Sequence, residues 1–254
     1  MSDTPDLLTT VLMIVIVAAA GLSTGATGLG FAQLTAVGLS FVLDAKTAVI
    51  LLALTVPPIS TVQLLRHRGS VGEWRSRMLV LSAGCIVGVP LGAYLLTILP
   101  ESAIAIVLGL FTLFFIATRL RRPTFAIDPA YERMAAPVVG LTGGIFNGTI
   151  GVSGPILGSY LIALGVKPST FAFTIQILFL TMTLVRLAGL VALGEVTGPL
   201  LVTGAMLLVP SLAGQAIGFR IQERVSPAGF ERAVLVVMAI AAVGLLIRGV
   251  TGAG

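Results

Sequence analysis

Ten apolar runs, separated by short polar or glycine-rich joints, make up most of this chain. They lie at about 7–24, 29–43, 47–65, 78–98 and 102–118, and then at about 134–149, 152–165, 168–191, 198–219 and 230–248. A helix needs about 20 residues to cross the hydrocarbon core of a bilayer. The third, fourth and fifth runs of each set reach or approach that length. The first two of each set are shorter and join through glycines, which predicts either half-helices in a re-entrant hairpin or short tilted spans.

The two sets resemble each other. At an offset of 123 positions Gly21, Gly25 and Gly28 fall on Gly144, Gly148 and Gly151, Leu29 on Val152, Thr47 on Thr170, and Gln63 on Arg186. With small shifts, Gly72-Glu73 falls on Gly194-Glu195, and Gly88 and Gly92 fall on Gly214 and Gly218. The order of these matches points to duplication. It divides the chain into an N-terminal repeat at 1–120, a Pro- and Arg-containing cytoplasmic linker at 121–133 and a C-terminal repeat at 134–254.

Composition supports a membrane setting. Only 10% of the 254 residues are charged and 57% are apolar, whereas a soluble domain carries about 25% charged residues. The 30 glycines suit helices that pack closely in lipid. A net charge of +5 does not point to nucleic acid, because the basic residues sit in short loops and form no stripe on a polar face. Cys85 is the single cysteine and reads as a small buried hydrophobe. The N-terminus, with Asp3 and Asp6 and no Lys or Arg before Lys46, is not patterned as a signal peptide.

The loop charges set an orientation. Cytoplasmic loops are enriched in Lys and Arg. One topology places Arg66, Arg68, Arg75, Arg77, Arg119, Arg121, Arg122, Arg133, Lys167, Arg220, Arg224 and Arg232 inside, and Asp3, Asp6, Asp44, Glu101 and Glu195 outside. Lys46 and Arg248 are the exceptions, and both termini are external. Equivalent loops then carry opposite charge: the basic 66–77 loop corresponds to the loop holding Glu195. The expected fold is therefore an all-α membrane protein, a polytopic helical bundle of two inverted repeats. Each repeat is a Gly-rich broken helix or hairpin followed by three spanning helices.

In transporters built this way the substrate sits near the midplane, where broken helices of both halves meet. The matching segments here are Gly25-Ala26-Thr27-Gly28-Leu29-Gly30 and Asn147-Gly148-Thr149-Ile150-Gly151-Val152-Ser153-Gly154-Pro155. A helix beginning at depth presents unpaired N–H groups and the positive end of its dipole, which favours an anion. The expected pathway uses Gly28, Gly30, Gly151, Ser153 and Gly154 for backbone recognition and Thr27, Asn147 and Thr149 for side-chain hydrogen bonds. Arg186, the one basic residue inside an apolar run, supplies a charge or snorkels to the interface. The competing reading of the glycines is helix packing alone. Gln33, Gln176 and Gln215 are expected to face the bundle interior.

The Gly21, Gly25, Gly28, Gly30 run and its counterpart Gly144, Gly148, Gly151, Gly154-Pro155 resemble the TauE/SafE family, as do chain length, repeat, basic central linker and Gly-Glu after the third segment. The chain departs from the family pattern at Phe31-Ala32-Gln33 and at Ser153. The resemblance implies a bacterial cytoplasmic-membrane exporter of a small sulfur-containing anion such as sulfite or a sulfonate. It calls for no cofactor or metal, and it leaves the oligomeric state open, a homodimer included. The carboxylates all fall in loops or termini, and His67 lies between Arg66 and Arg68. No proton carrier is then placed at depth, and voltage-driven export is expected, with sodium or proton coupling as the other option. An enzyme is not expected, because no base stands near a nucleophile and no ligands cluster. An anion channel and a non-transporting membrane assembly protein are the alternatives.

Overall fold

A computed structural model describes residues 6–28, 30–66, 75–121, 129–222 and 227–251. Asp3, Leu29, His67, Arg68, Gly72, Glu73, Arg122 and Arg224, which entered the sequence argument, lie outside them, as does most of the 121–133 linker.

Among the described residues the chain forms ten helices. They are α1 (Leu7–Thr27), α2 (Phe31–Val42), α3 (Ala45–Arg66), α4 (Arg75–Ile98), α5 (Glu101–Arg121), α6 (Pro129–Ile150), α7 (Gly154–Ala163), α8 (Pro168–Ala192), α9 (Gly198–Gln222) and α10 (Pro227–Thr251). Six of them are long and apolar enough to cross a membrane. The polypeptide is thus an all-helical, polytopic membrane protein. One expectation changes in detail. The opening helix of each half is full length, 21 residues for α1 and 22 for α6, and only the second is short. The apolar run fades at Ser23-Thr24, but the intrahelical hydrogen bonds continue to Gly28, whose N–H donates to Thr24 O at 2.7 Å. At 1.5 Å per residue, α2 and α7 extend about 18 and 15 Å, half the hydrocarbon thickness of about 30 Å.

The surface is the inverse of a soluble protein's. Large apolar side chains such as Leu79, Val209 and Val250 point outward, whereas Thr35, Thr55, Gln63, Thr112, Arg186, Ser211 and Gln215 are fully buried. That distribution fits lipid as solvent, where apolar groups gain nothing by withdrawal and polar groups must find partners inside.

Glycine ridges set the closest packing. Helix α4 runs beside α6, and α1 beside α9. Gly84, Gly88 and Gly92 face Gly140, Gly144 and Gly148, so the α4–α6 pair is parallel. Ala18 and Leu22 face Gly214 and Gly218, and Gly25 faces Gly218, so α1 and α9 are parallel too. A Cβ on Gly92 would lie 2.9 Å from Gly148 Cα, and one on Gly25 would lie 2.9 Å from Gly218 Cα. For Gly21, Gly25, Gly144 and Gly148, then, the packing requirement stands on direct geometry. Helix α3 crosses α8, and α5 crosses α10. Under an offset of five helices this pairing scheme maps onto itself.

The two ends of the bundle differ in charge. Lys46 Nζ is 2.9 Å from Glu195 Oε1, and Ala45 N–H donates to Glu101 at 3.4 Å, which gathers the α2–α3, α4–α5 and α8–α9 turns at one end. Asp6 caps α1 by accepting from Thr9 N–H at 2.8 Å. At the other end Arg66 lies over the Phe219 ring, 4.3 Å from its centroid, joining the C-termini of α3 and α9. Helices α1 and α9 start at the first end and α4 and α6 at the second, so the two glycine-packed pairs run in opposite directions.

Replacing Gly92 by alanine is expected to force α4 and α6 apart and to cost about 1–3 kcal/mol, the usual overpacking range. Gly198→Ala, at a position with no heavy atom within 4 Å of the new Cβ, is expected to leave the unfolding temperature of purified protein unchanged. Equal effects would remove packing as the reason for the ridge.

Candidate functional site

Two helix breaks face one cavity of about 400 Å³. The first break ends α1 at Gly28, held at φ 78°, and passes through Gly30 at φ 102° into α2. These left-handed backbone angles suit glycine and cost other residues about 1–2 kcal/mol. The first hydrogen bond of α2 runs from Leu34 N–H to Gly30 O, at 2.9 Å. The amides of Phe31, Ala32 and Gln33 therefore have no acceptor within the helix, and all three residues line the cavity. The second break ends α6 at Gly151, φ 77°, and restarts at Gly154-Pro155, with Ser153 at the N-cap of α7. Pro155 stands in the first turn, where its missing N–H forfeits no helical bond.

Of the residues expected to form a pathway, Gly28, Gly30, Asn147, Gly151, Ser153 and Gly154 line this cavity together. The amide of Asn147 donates to Ser153 Oγ at 3.4 Å, bridging the second break. Thr27, Thr149 and Arg186 are not on the cavity wall. Thr27 Oγ1 donates back to Ser23 O at 2.9 Å. Thr149 Oγ1 reaches Gly92 O at 3.1 Å and Ile145 O at 2.9 Å, so it ties α6 to α4. Arg186 is fully buried, and its Nη1 donates to Asn147 O at 2.8 Å, behind the break.

Gln33, Gln176 and Gln215, expected to face the interior, all join helices. Gln33 donates to Thr112 Oγ1 at 2.6 Å, Gln176 to Gly28 O at 3.0 Å, and Gln215 to Ile59 O at 3.1 Å. Gln33 and Gln176 also line the cavity. The Gln176 bond matters most to the site, because it fastens the first-half break to a second-half helix.

Sequence reasoning missed Arg119. Read as a topology signal in a loop, it stands on the last turns of α5 and is the one charged side chain on the cavity wall among the described residues. Its guanidinium lies 5.6 Å from the Phe115 centroid. The signal that pointed to it is the apolar run before it, which continues as helix to Arg121. Elsewhere the wall is neutral, made of hydroxyls, amides and backbone, with Phe31, Phe171 and Phe179 among its apolar parts. The cavity therefore extends from the paired breaks toward the end of the bundle where α5 finishes and α8 begins.

The fold and cavity define a polytopic helical membrane protein with two helix breaks facing one internal site. The chain belongs to the TauE/SafE sulfite exporter family, whose model matches residues 13–245. No curated protein and no solved structure matches it.

Gly28 tests the backbone requirement apart from packing, since a Cβ there meets no heavy atom within 4 Å. Gly28→Ala is expected to destabilise the protein by about 1–2 kcal/mol through its positive φ alone. Gly28→Asn should cost less, because Asn enters the left-handed region more readily. The comparison is read from thermal unfolding in detergent, and a milder loss for alanine than for asparagine would contradict it.

Proposed function

We propose that this protein exports a small sulfur-containing anion, sulfite or a sulfonate, across the cytoplasmic membrane, binding it between the two glycine breaks. The observation that carries this reading is the shared cavity of Gly28–Gly30 and Gly151–Gly154, with the amino ends of α2 and α7 on its wall. Unpaired amides and the positive ends of two helix dipoles favour an anion there. Asn147 and Ser153 add neutral donors, and the name of the family supplies the sulfur chemistry.

In this reading the halves are inverted repeats, and the basic end of the bundle faces the cytoplasm. Support for inversion comes from the two glycine-packed pairs running in opposite directions and from the pairing scheme that exchanges the halves. The cavity then opens inward, and Arg119 meets the anion first. A positive charge at the mouth raises the local anion concentration. With no carboxylate on the described cavity wall, the membrane potential drives the exit of a monovalent anion, by about 2.3 kcal/mol per 100 mV.

Flux from proteoliposomes under a set potential tests the proposal, comparing sulfite, thiosulfate, sulfoacetate and acetate. Saturable flux of a sulfur oxyanion that follows voltage is expected, and Arg119→Gln should raise the KM several-fold, less so at high salt. Equal, non-saturating flux of every small anion would point to a channel. Flux that ignored voltage and followed a pH or sodium gradient would replace the driving force.

A further inference from the structure

Both breaks are held by the same hydrogen-bond arrangement at the same offset of 123 residues. In the first half Thr24 O accepts from Gly28 N–H at 2.7 Å and from Gln63 Nε2 at 2.8 Å. In the second half Asn147 O accepts from Gly151 N–H at 2.9 Å and from Arg186 Nη1 at 2.8 Å. Each carbonyl thereby uses both lone pairs. Each pair of donors is a left-handed glycine, φ 78° and φ 77°, and a fully buried side chain from the third helix of the half. Neither Gln63 nor Arg186 is on the cavity wall.

We propose that Gln63 and Arg186 are equivalent positioning residues, each holding the carbonyl at the end of a broken helix so that the following glycine and the next helix's amino end keep their place. Arg186 acts on the substrate through Asn147, whose side chain is on the cavity wall, and not through its own charge. The guanidinium occupies the volume that a side chain on residue 151 would fill, so Gly151 is required by its partner as well as by its φ. Among the described residues no carboxylate lies against the guanidinium, and its Nε and Nη2 find no acceptor. The carbonyl end of α6 is its electrostatic partner, since a helix C-terminus carries partial negative charge. Gln63 serves the same carbonyl position without a charge, so hydrogen bonding is the shared requirement.

The test is hydrogen–deuterium exchange of the two breaks in purified protein, with flux as a second readout. Only the flux arm rests on the export reading. Arg186→Met should speed exchange at residues 151–154 about tenfold, and Gln63→Leu should do the same at 28–33, as loss of a buried hydrogen bond of this kind implies. Arg186→Gln should exchange like the wild type and keep its KM for sulfite, while Arg186→Met raises the KM about tenfold with it. If Arg186→Met does not fold, Arg186→Gln and Gln63→Leu decide the matter. Exchange in Arg186→Gln as fast as in Arg186→Met, or unaltered exchange in Gln63→Leu, would overturn the equivalence. A raised KM in Arg186→Gln with unaltered exchange would show the charge acting on the anion directly and would also overturn it. Wild-type protein that carries no sulfite would count against the export reading alone, because exchange still reports on the breaks.

Discussion

A backbone that leaves a helix inside a membrane must find its hydrogen bonds within the protein, because hydrocarbon offers none. Much of this architecture can be traced to that constraint. Each break frees carbonyls at one helix end and amides at the next. Gln176 holds the freed carbonyl of Gly28, while Gln63 and Arg186 add a second donor to Thr24 O and Asn147 O, which already accept within their helices. The freed amides of Phe31, Ala32 and Gln33 instead border a cavity. The amides left open at the start of α2 present positive partial charge to the cavity.

Close packing makes the breaks affordable. One polar cross-link runs directly across a glycine ridge, where two helices approach at backbone contact. Thr149 illustrates the coupling: its hydroxyl reaches Gly92 O at the place where Gly92 and Gly148 let α4 and α6 meet. Packing and site are therefore not separable roles for the glycines. Gly144 and Gly148 bring α6 against α4, and Gly151, three residues beyond Gly148 on the same strand of sequence, turns the chain into the cavity. Packing geometry fixes Gly144 and Gly148, and backbone conformation fixes Gly151.

The spans were legible because apolar length is a local property. The third to fifth runs of each set became helices within a few residues of their expected ends. The glycine breaks were legible too, since Gly28 and Gly151 are the points where a repeat offset and a helix-breaking residue coincide. Contacts between elements distant in sequence were not. Nothing local distinguishes Thr27, which bonds to its own helix, from Asn147, which lines the cavity. Arg186 drew attention as an intramembrane charge, yet its burial behind Asn147 depends on how α8 crosses α6. Arg119 was discounted because a basic residue at a helix end is the ordinary orientation signal. Only the position of α5 beside the two breaks puts it on the wall.

Gln63 and Arg186 differ in charge although they make the same hydrogen bond. The two positions lie toward opposite ends of the bundle and meet different electrostatic settings. On the proposed orientation, the membrane potential draws a cation inward, and the breaks lie at different depths along that field. Arg186 lies near the acidic end of the bundle, about 10 Å or less from the α8 terminus at 1.5 Å per residue, where Glu195 follows in the next turn. Gln63 lies one turn from Arg66, at the basic end. A second cation at position 63 would add like charge to that end, whereas the end nearer Arg186 carries the Lys46–Glu195 pair and Glu101. The same hydrogen bond to a helix-end carbonyl can thus be made by a neutral amide in one half and by a guanidinium in the other. The two donors stand at opposite ends of the bundle, Arg186 toward the end that gathers Glu101 and Glu195 and Gln63 toward the end that carries Arg66.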